Sequence, residues 1–265
     1  MKHHLALLDV DGTLREGDRW LPGALDLVHE LHEAGVHVAV CSGRTTGSLV
    51  NLVRDLPDVE YLASSSGATV LRRAGDDWDV IHELPLPESA VRMATEISRE
   101  FAVEIWGFGA RRWLIPHPSG WAMAEAPVVH DEPELADLLA EGRRLAKVLF
   151  LIPDEARVPA VRERCAHPGT VFVRSGFAHY DLIREDAARD KGGDQIRRAL
   201  GLEWNQVIAM GDGENDRGML GLAGLGVCIA PLTDDQLTPA GPGQRRVSVP
   251  DTAAGRDAIL AALAG

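Results

Sequence analysis

The chain has 265 residues, enough for one or two domains with a substantial core, and its 45% hydrophobic and 25% charged content is that of an ordinary globular protein. Forty acidic residues against 27 basic ones give a formal net charge of −13, which excludes a general nucleic-acid or anionic-membrane binder because either needs a basic face. An anionic substrate stays open, since a bound cation can reverse the field inside a site.

In chain order, Leu5-Ala6-Leu7-Leu8 is a short apolar run that predicts a buried strand, and it ends in Asp9-Val10-Asp11-Gly12-Thr13. Alternation points Asp9 and Asp11 the same way where the strand gives out into a loop. Two such acids suit a divalent cation with oxygen ligands, or a nucleophile beside a general acid/base. An Asx-turn in a solvated loop is the plainer alternative. Pro22 to Ala34 carries Ala24, Leu25, Leu27, Val28 and Leu31 at helical spacing, and Gly35 stops it. A second strand, Val36 to Cys41, runs into Ser42-Gly43-Arg44-Thr45-Thr46. A helix from about Gly47 to Asp55 leads to a third strand at Tyr61–Ser64 and the small-residue run Ser64 to Ala68. This is the βαβ grammar of a parallel sheet.

The grammar breaks near Trp78. From about Leu84 to Asp186 the sequence predicts a helix over 87–101, a Trp- and Gly-containing region over 103–121 and a polar, helix-like run over 133–145. A strand over 147–152, a helix over 154–165 and paired strands over 170–174 and 178–183 complete a self-contained α+β block. The first grammar then returns. A helix from Lys191 to Leu200 precedes the strand Gln206–Met210, which ends in Gly211-Asp212-Gly213-Glu214-Asn215-Asp216. A helix at 217–223, a strand at 225–229, a Pro/Gly-rich connection over 231–243, a strand at 246–249 and a helix at 254–264 close the chain. The connection includes Pro239-Ala240-Gly241-Pro242-Gly243, whose composition predicts loose order. The expected architecture is α/β: a Rossmann-like parallel-sheet core domain, residues 1–83 and 187–265, carrying an inserted α+β domain, residues 84–186, that sets substrate choice.

Cys41, Cys165 and Cys228 are far apart and in apolar surroundings, which predicts buried free thiols in a reducing compartment. The apolar run after Met1-Lys2-His3-His4 is broken at Asp9, unlike a signal peptide. No stretch approaches the roughly eighteen apolar residues of a membrane span. A cytoplasmic location is expected, and nothing in the sequence points to an oligomeric state.

Parallel strands bring their ends to one edge, which would collect Asp9, Asp11, Ser42, Asp212 and Asp216. Two carboxylates about 4 Å apart repel by roughly 4 kcal/mol at an effective dielectric near 20. A hard divalent cation resolves that repulsion, and Mg²⁺ favours a few carboxylates together with phosphate oxygens. Lys191, near a helix start, adds a cation where anions are already favoured. Each residue alone has an ordinary reading: Ser42 as a loop or N-cap hydroxyl, Lys191 as a solvated lysine, Asp212 and Asp216 as helix caps.

Together, Asp9-x-Asp11-Gly12-Thr13, Ser42-Gly43-Arg44, Lys191-Gly192 and Gly211-Asp212-x-x-Asn215-Asp216 closely resemble the four motifs of the haloacid dehalogenase superfamily. Gly226-Val227-Cys228-Ile229-Ala230 resembles the segment that follows the fourth motif, and the insertion resembles a type-2 cap of the Cof-type and sucrose-phosphatase-like sugar phosphatases. The resemblance implies Asp9 as a nucleophile that forms an aspartyl-phosphate and Asp11 as general acid/base. It implies that Ser42 and Lys191 hold the phosphoryl group, with Gly43, Arg44 and Asn215 beside them. Mg²⁺ would be bound by the Asp9 carboxylate, the Asp11 main-chain carbonyl and the Asp212 carboxylate, with Asp216 in support.

One departure is the third loop, Ser65-Ser66-Gly67-Ala68, where many Cof-like relatives carry Asn-Gly. In the insertion, Arg111, Arg112, Arg174, His179 and Arg184 are candidates for gripping an anionic or hydroxyl-rich leaving group. The expected activity is Mg²⁺-dependent hydrolysis of a sugar phosphate or similar small phosphorylated metabolite. Its rivals are a phosphomutase of the same superfamily and a non-catalytic phospho-ligand binding protein.

Overall fold

The computed structural model describes residues 3–141, 144–237 and 241–265. An eight-stranded sheet runs in the order Arg245–Val249, Leu225–Ile229, Val207–Gly211, Leu5–Leu8, His37–Cys41, Val59–Ser64, Thr69–Ala74, Asp77–Glu83. The first six strands are parallel and the last two turn back antiparallel. The opening strand lies inside this sheet, with Leu5 opposite Val207 on one side and His37 on the other. Both its faces are covered, which is why it reads as a continuous apolar run. Ala6 and Leu8 pack with Leu27, Leu31 and Ile259 from helices Ala24–Glu33 and Thr252–Ala264. Leu5 and Leu7 pack on the other side with Ile196, Met219 and Leu220 from helices Gly193–Ala199 and Arg217–Leu222.

A second sheet of six strands runs in the order Pro133–Leu135, Trp113–Ile115, Glu104–Phe108, Lys147–Leu151, His179–Arg184, Thr170–Arg174. Its pairs are antiparallel except the edge pair of Pro133–Leu135 with Trp113–Ile115. Alternation along these strands separates two faces. Ile105, Val148, Phe150 and Leu182 pack under helices Glu88–Phe101 and Val158–Arg164. Trp106, Phe108, Leu149 and Leu151 form a separate apolar cluster with Trp113.

Several expected elements change. The polar run 133–145 is a three-residue edge strand followed by turns, with Gly142 and Arg143 outside the described residues. Its exposed polar side chains mark a sheet edge rather than a helix face. The 103–121 region resolves into two strands and the start of helix Gly120–Val129, which carries Pro127 internally and was hidden by its small, weakly patterned side chains. The hairpin Thr69–Ala74/Asp77–Glu83 was obscured by its charged outward residues. The helix expected from Lys191 starts at Gly193, because Lys191 and Gly192 take left-handed backbone conformations with φ of 50° and 82°. Met1 and Lys2 and, in the loosely ordered stretch, Pro239 and Ala240 lie outside the described residues. All three cysteines are free and buried. Among the described residues no helix is long and apolar enough to cross a membrane.

Candidate active site

The carboxyl ends of the parallel strands meet at one edge, and Asp9 sits at its centre, 5% exposed. Lys191 is buried against it, its Nζ donating to Asp9 Oδ1 at 2.6 Å and to Asp216 Oδ1 at 2.5 Å. Asp216 also accepts from the Gly213 backbone N–H at 2.9 Å, which ties the loop after Val207–Gly211 to the lysine. Asp212 accepts from the Thr13 hydroxyl at 3.1 Å. Carboxylate oxygens of Asp9, Asp212 and Asp216 all lie within 4.8 Å of one another. A Cβ added at Gly12 would lie 2.1 Å from Asp212 Oδ2, so only glycine, here at φ 83°, lets the first and last motif loops come this close.

The crowding is electrostatically unresolved in the protein alone. Burial first, then the Asp216 carboxylate, push the Asp9 carboxyl up to about 8 despite the pull of Lys191. The same two causes raise Asp212. Burial works against the charge of Lys191, but Asp216 and Asp9 outweigh it and hold the ammonium well above its ordinary range.

Asp11 points elsewhere. Its side chain is half-exposed, and Arg44 grips it bidentately, Nε to Oδ2 at 2.9 Å and Nη2 to Oδ1 at 2.6 Å. The Asp11 carboxylate is therefore outside the acidic cluster, and Asp216 stands there with Asp9 and Asp212. Ser42 is buried and accepts from the Arg44 backbone N–H at 3.2 Å. The cap of the following helix, Thr46–Leu52, is Thr45, whose hydroxyl accepts from Ser48 N–H at 3.1 Å. The Ser65-Ser66 loop braces the Ser42 loop through its backbone: Ser65 N–H donates to Arg44 O at 2.9 Å and Ser66 N–H to Ser42 O at 3.0 Å. Ser66 itself lines a different cavity, with Lys191 and Asn215.

The six-stranded sheet closes over this edge. A cavity of about 360 Å³ is bounded below by Asp9, Asp11, Ser42, Arg44, Asp212 and Asn215, with Gly43, Thr45 and Gly213 beside them. Above lie Trp106, Phe108, Leu149, Lys147 and His179, all from one sheet face, with Trp113 and Ser175 next to them. Helix Gly120–Val129 supplies Glu125, Val128 and Val129. Lys147 crosses between the layers: buried, it donates to Asp181 Oδ2 at 2.9 Å and to the Gly43 carbonyl at 2.8 Å. Two further contacts join the layers. The Thr45 hydroxyl donates to Asp131 Oδ2 at 2.5 Å, and Asn51 Nδ2 donates to the His130 carbonyl at 2.6 Å.

Of the five side chains expected to grip the leaving group, only His179 lines this cavity. Arg112 is held by Glu134 and Glu141, and Arg184 by Asp186. Arg174 pairs with Glu155 and lines the other cavity. Arg111 donates to the Trp78 carbonyl beside Asp77, at the outer seam of the two sheets. Their guanidinium groups find carboxylate or carbonyl partners away from this cavity. Lys147 was missed, although a lone lysine heading the apolar strand Lys147-Val148-Leu149-Phe150-Leu151 is itself a signal that a buried partner exists.

Lys147→Met should leave Asp181, fully buried, without its counter-charge and cost about 3–5 kcal/mol in urea unfolding. The double variant Lys147→Met/Asp181→Leu should recover most of that stability. Both should keep a depressed kcat/KM, because neither restores the bond to Gly43 O. Wild-type kcat/KM in the double variant would show that this bond does not position the Ser42 loop.

Residues 6–236 match the haloacid dehalogenase-like hydrolase family. The chain belongs to this family. It is 27% identical over 233 residues to a phosphoglycolate phosphatase of Methanopyrus kandleri, covering 87% of this chain and 86% of that protein. It is 25% identical over 236 residues to the 5-amino-6-(5-phospho-D-ribitylamino)uracil phosphatase YitU of Bacillus subtilis, covering 86% and 87% respectively. A haloacid dehalogenase-like hydrolase from Bacteroides thetaiotaomicron has the same fold, with a TM-score of 0.79 at 22% identity over 98% of this chain and 100% of that one. The protein is a phosphatase of this family, with a Cof-type cap over an α/β core.

Proposed function

We propose that this phosphatase hydrolyses the phosphomonoester of a sugar or similar small polyol through an aspartyl-phosphate on Asp9, with Mg²⁺ as cofactor. The observation that carries the reading is the buried Lys191 clasping Asp9 and Asp216, with Asp212 alongside, at the floor of a cavity open to a small ligand. The donor set fits a hard cation: it is all oxygen, its atoms lie within 4.8 Å, and burial first, then the Asp216 charge, push up Asp9 and Asp212 in a way that a cation would offset. Asp9 and Asp212 would hold Mg²⁺ through their carboxylates and Asp11 through its main-chain carbonyl, while Asp216 is committed to Lys191. Bound there, Mg²⁺ supplies neutralisation of charge on the nucleophile and the phosphoryl oxygens.

The chain's own groups do the rest. Asp9 forms a bond to phosphorus as the ester P–O bond breaks. Asp11, once parted from Arg44 and protonated from solvent, gives that proton to the departing oxygen, which leaves as an alcohol. Ser42 and Lys191 hold the phosphoryl oxygens, with the Gly43 and Arg44 loop and Asn215 around them. In the second half Asp11 takes a proton from water, which attacks phosphorus and releases phosphate and the free Asp9 carboxylate. Positioning and charge dominate such transfers. The cap, residues 84–186, chooses the ester, and the buried free thiols suit a cytoplasmic setting. The relatives' names span quite different esters and do not choose among them.

Phosphate release from a panel of sugar phosphates, lost in EDTA and restored by Mg²⁺, tests the reading. A second readout needs no turnover. Mg²⁺ at a hundredfold over its Kd should stabilise the protein by about 2.7 kcal/mol, seen as a rise in Tm. Asp9, pushed up to about 8, must be ionised to bind the cation, so protons compete as pH falls below that value. The Tm gain at fixed Mg²⁺ should therefore be larger at pH 8 than at pH 6. It should disappear in Asp212→Ala. A gain that is independent of pH and survives Asp212→Ala would place the cation elsewhere.

A further inference from the structure

We propose that the leaving-group half of the cavity accepts an uncharged, ring-sized alcohol and turns away esters that carry a second anionic group, with Glu125 as the side chain that enforces the choice. The inference rests on the hydrolase reading above and names which members of that substrate class the site takes.

Charge is the first argument. Among the described residues, the cap places three groups capable of charge against this cavity: Lys147, His179 and Glu125. Lys147 is spent, 4% exposed and fixed by Asp181 and the Gly43 carbonyl. His179 is held neutral near pH 7 because burial lowers it, against the pull of Glu125 and Asp181. Arg44 lies below, on the loop around the transferred phosphoryl group rather than in the cap, and is paired with Asp11 at rest. Glu125 is left as the one cap carboxylate facing the ligand, with no cap cation to offset it. A carboxylate or second phosphate on the leaving group would lose its hydration and meet a like charge there.

The second argument is shape and polarity. Trp106 and Trp113 pack at 5.1 Å between ring centroids and Phe108 stacks on Trp113 at 6.1 Å, so the wall is rigid and apolar. Leu149 and Val128 continue it. This buried wall backs the cavity, the exposed Val128 at its edge takes the C–H face of a sugar ring, and hydroxyls on the ring edge donate to Glu125 and exchange bonds with Ser175 and His179. The volume, about 360 Å³, is at the small end for ligand cavities, which suits a monosaccharide phosphate.

The test is kcat/KM on matched esters: glucose 6-phosphate and mannose 6-phosphate against 2-phosphoglycolate and fructose 1,6-bisphosphate. The better uncharged-alcohol ester should lead the better anionic one by at least about tenfold, the scale of a like-charge penalty across a binding surface. Glu125→Lys should move that ratio by about a hundredfold toward the anionic esters, and Glu125→Gln should move it part of the way. Circular dichroism and Tm establish that both variants fold. Anionic esters that match or beat the uncharged ones in the wild type overturn the inference. So does a ratio that does not move in a folded Glu125→Lys. A chain that cleaves no ester of the panel, with or without Mg²⁺, overturns the hydrolase reading and this inference with it.

Discussion

Asp9→Asn should lower turnover by about four orders of magnitude or more, the scale seen when a nucleophile that acts as part of a unit is removed. The amide matches the carboxylate in shape, and its oxygen can still accept from Lys191 Nζ, now 2.6 Å from Asp9 Oδ1. It cannot attack phosphorus. Stability separates this loss from simple unfolding. In the protein without metal, burial and then Asp216 push the Asp9 carboxyl up, so its negative charge is held there at a cost. An amide removes that conflict, and the metal-free Tm should hold or rise while the Tm gain from Mg²⁺ shrinks. A variant that keeps near-wild-type turnover would remove Asp9 from the chemistry.

Asp11→Asn should split by substrate. A sugar alkoxide is a poor leaving group and needs a proton, whereas p-nitrophenolate leaves as a stabilised anion. General acid catalysis is worth about 10²- to 10⁴-fold, so phosphorylation by a sugar phosphate should slow by that factor and by p-nitrophenyl phosphate far less. Breakdown of the phosphoenzyme should slow with both, because the same group then takes a proton from water. The Arg44 clasp gives the contrast a structural basis: paired to guanidinium, the Asp11 carboxylate is held apart from the acidic cluster, and it must leave Arg44 to reach the departing oxygen. Rapid-quench traces of the two esters check this. Equal slowing of phosphorylation for both would make Asp11 a residue that holds the loop.

The core could be read from sequence because its strands are buried on both faces and end abruptly in polar residues. Leu5–Leu8 and Val207–Gly211 are uninterrupted apolar runs, Asp9 and Asp212 follow them directly, and Asp216 closes the loop after the second. Parallel pairing then leaves little freedom in where those acids go. The cap had no such punctuation. Trp106, Lys147 and His179 share a face only through the pairing of three strands far apart in sequence, and pattern within each strand does not announce which strands pair. Helix Gly120–Val129 was hidden by small residues and Pro127, so Glu125 could not be placed over the cavity. The arginines drew attention by charge alone, yet each finds its partners outside the cavity. The role of Ser65 and Ser66 was also out of reach, since it runs through their backbone N–H groups rather than their side chains.

Covalent chemistry at Asp9 is tested most directly by a single-turnover acid quench with a ³²P-labelled sugar phosphate. Label should appear on the peptide containing Asp9 before phosphate is released, be removed by hydroxylamine as an acyl phosphate is, and be absent from Asp9→Asn. Full release of phosphate with no labelled peptide at any quench time, or label on another residue, would contradict an aspartyl-phosphate at Asp9.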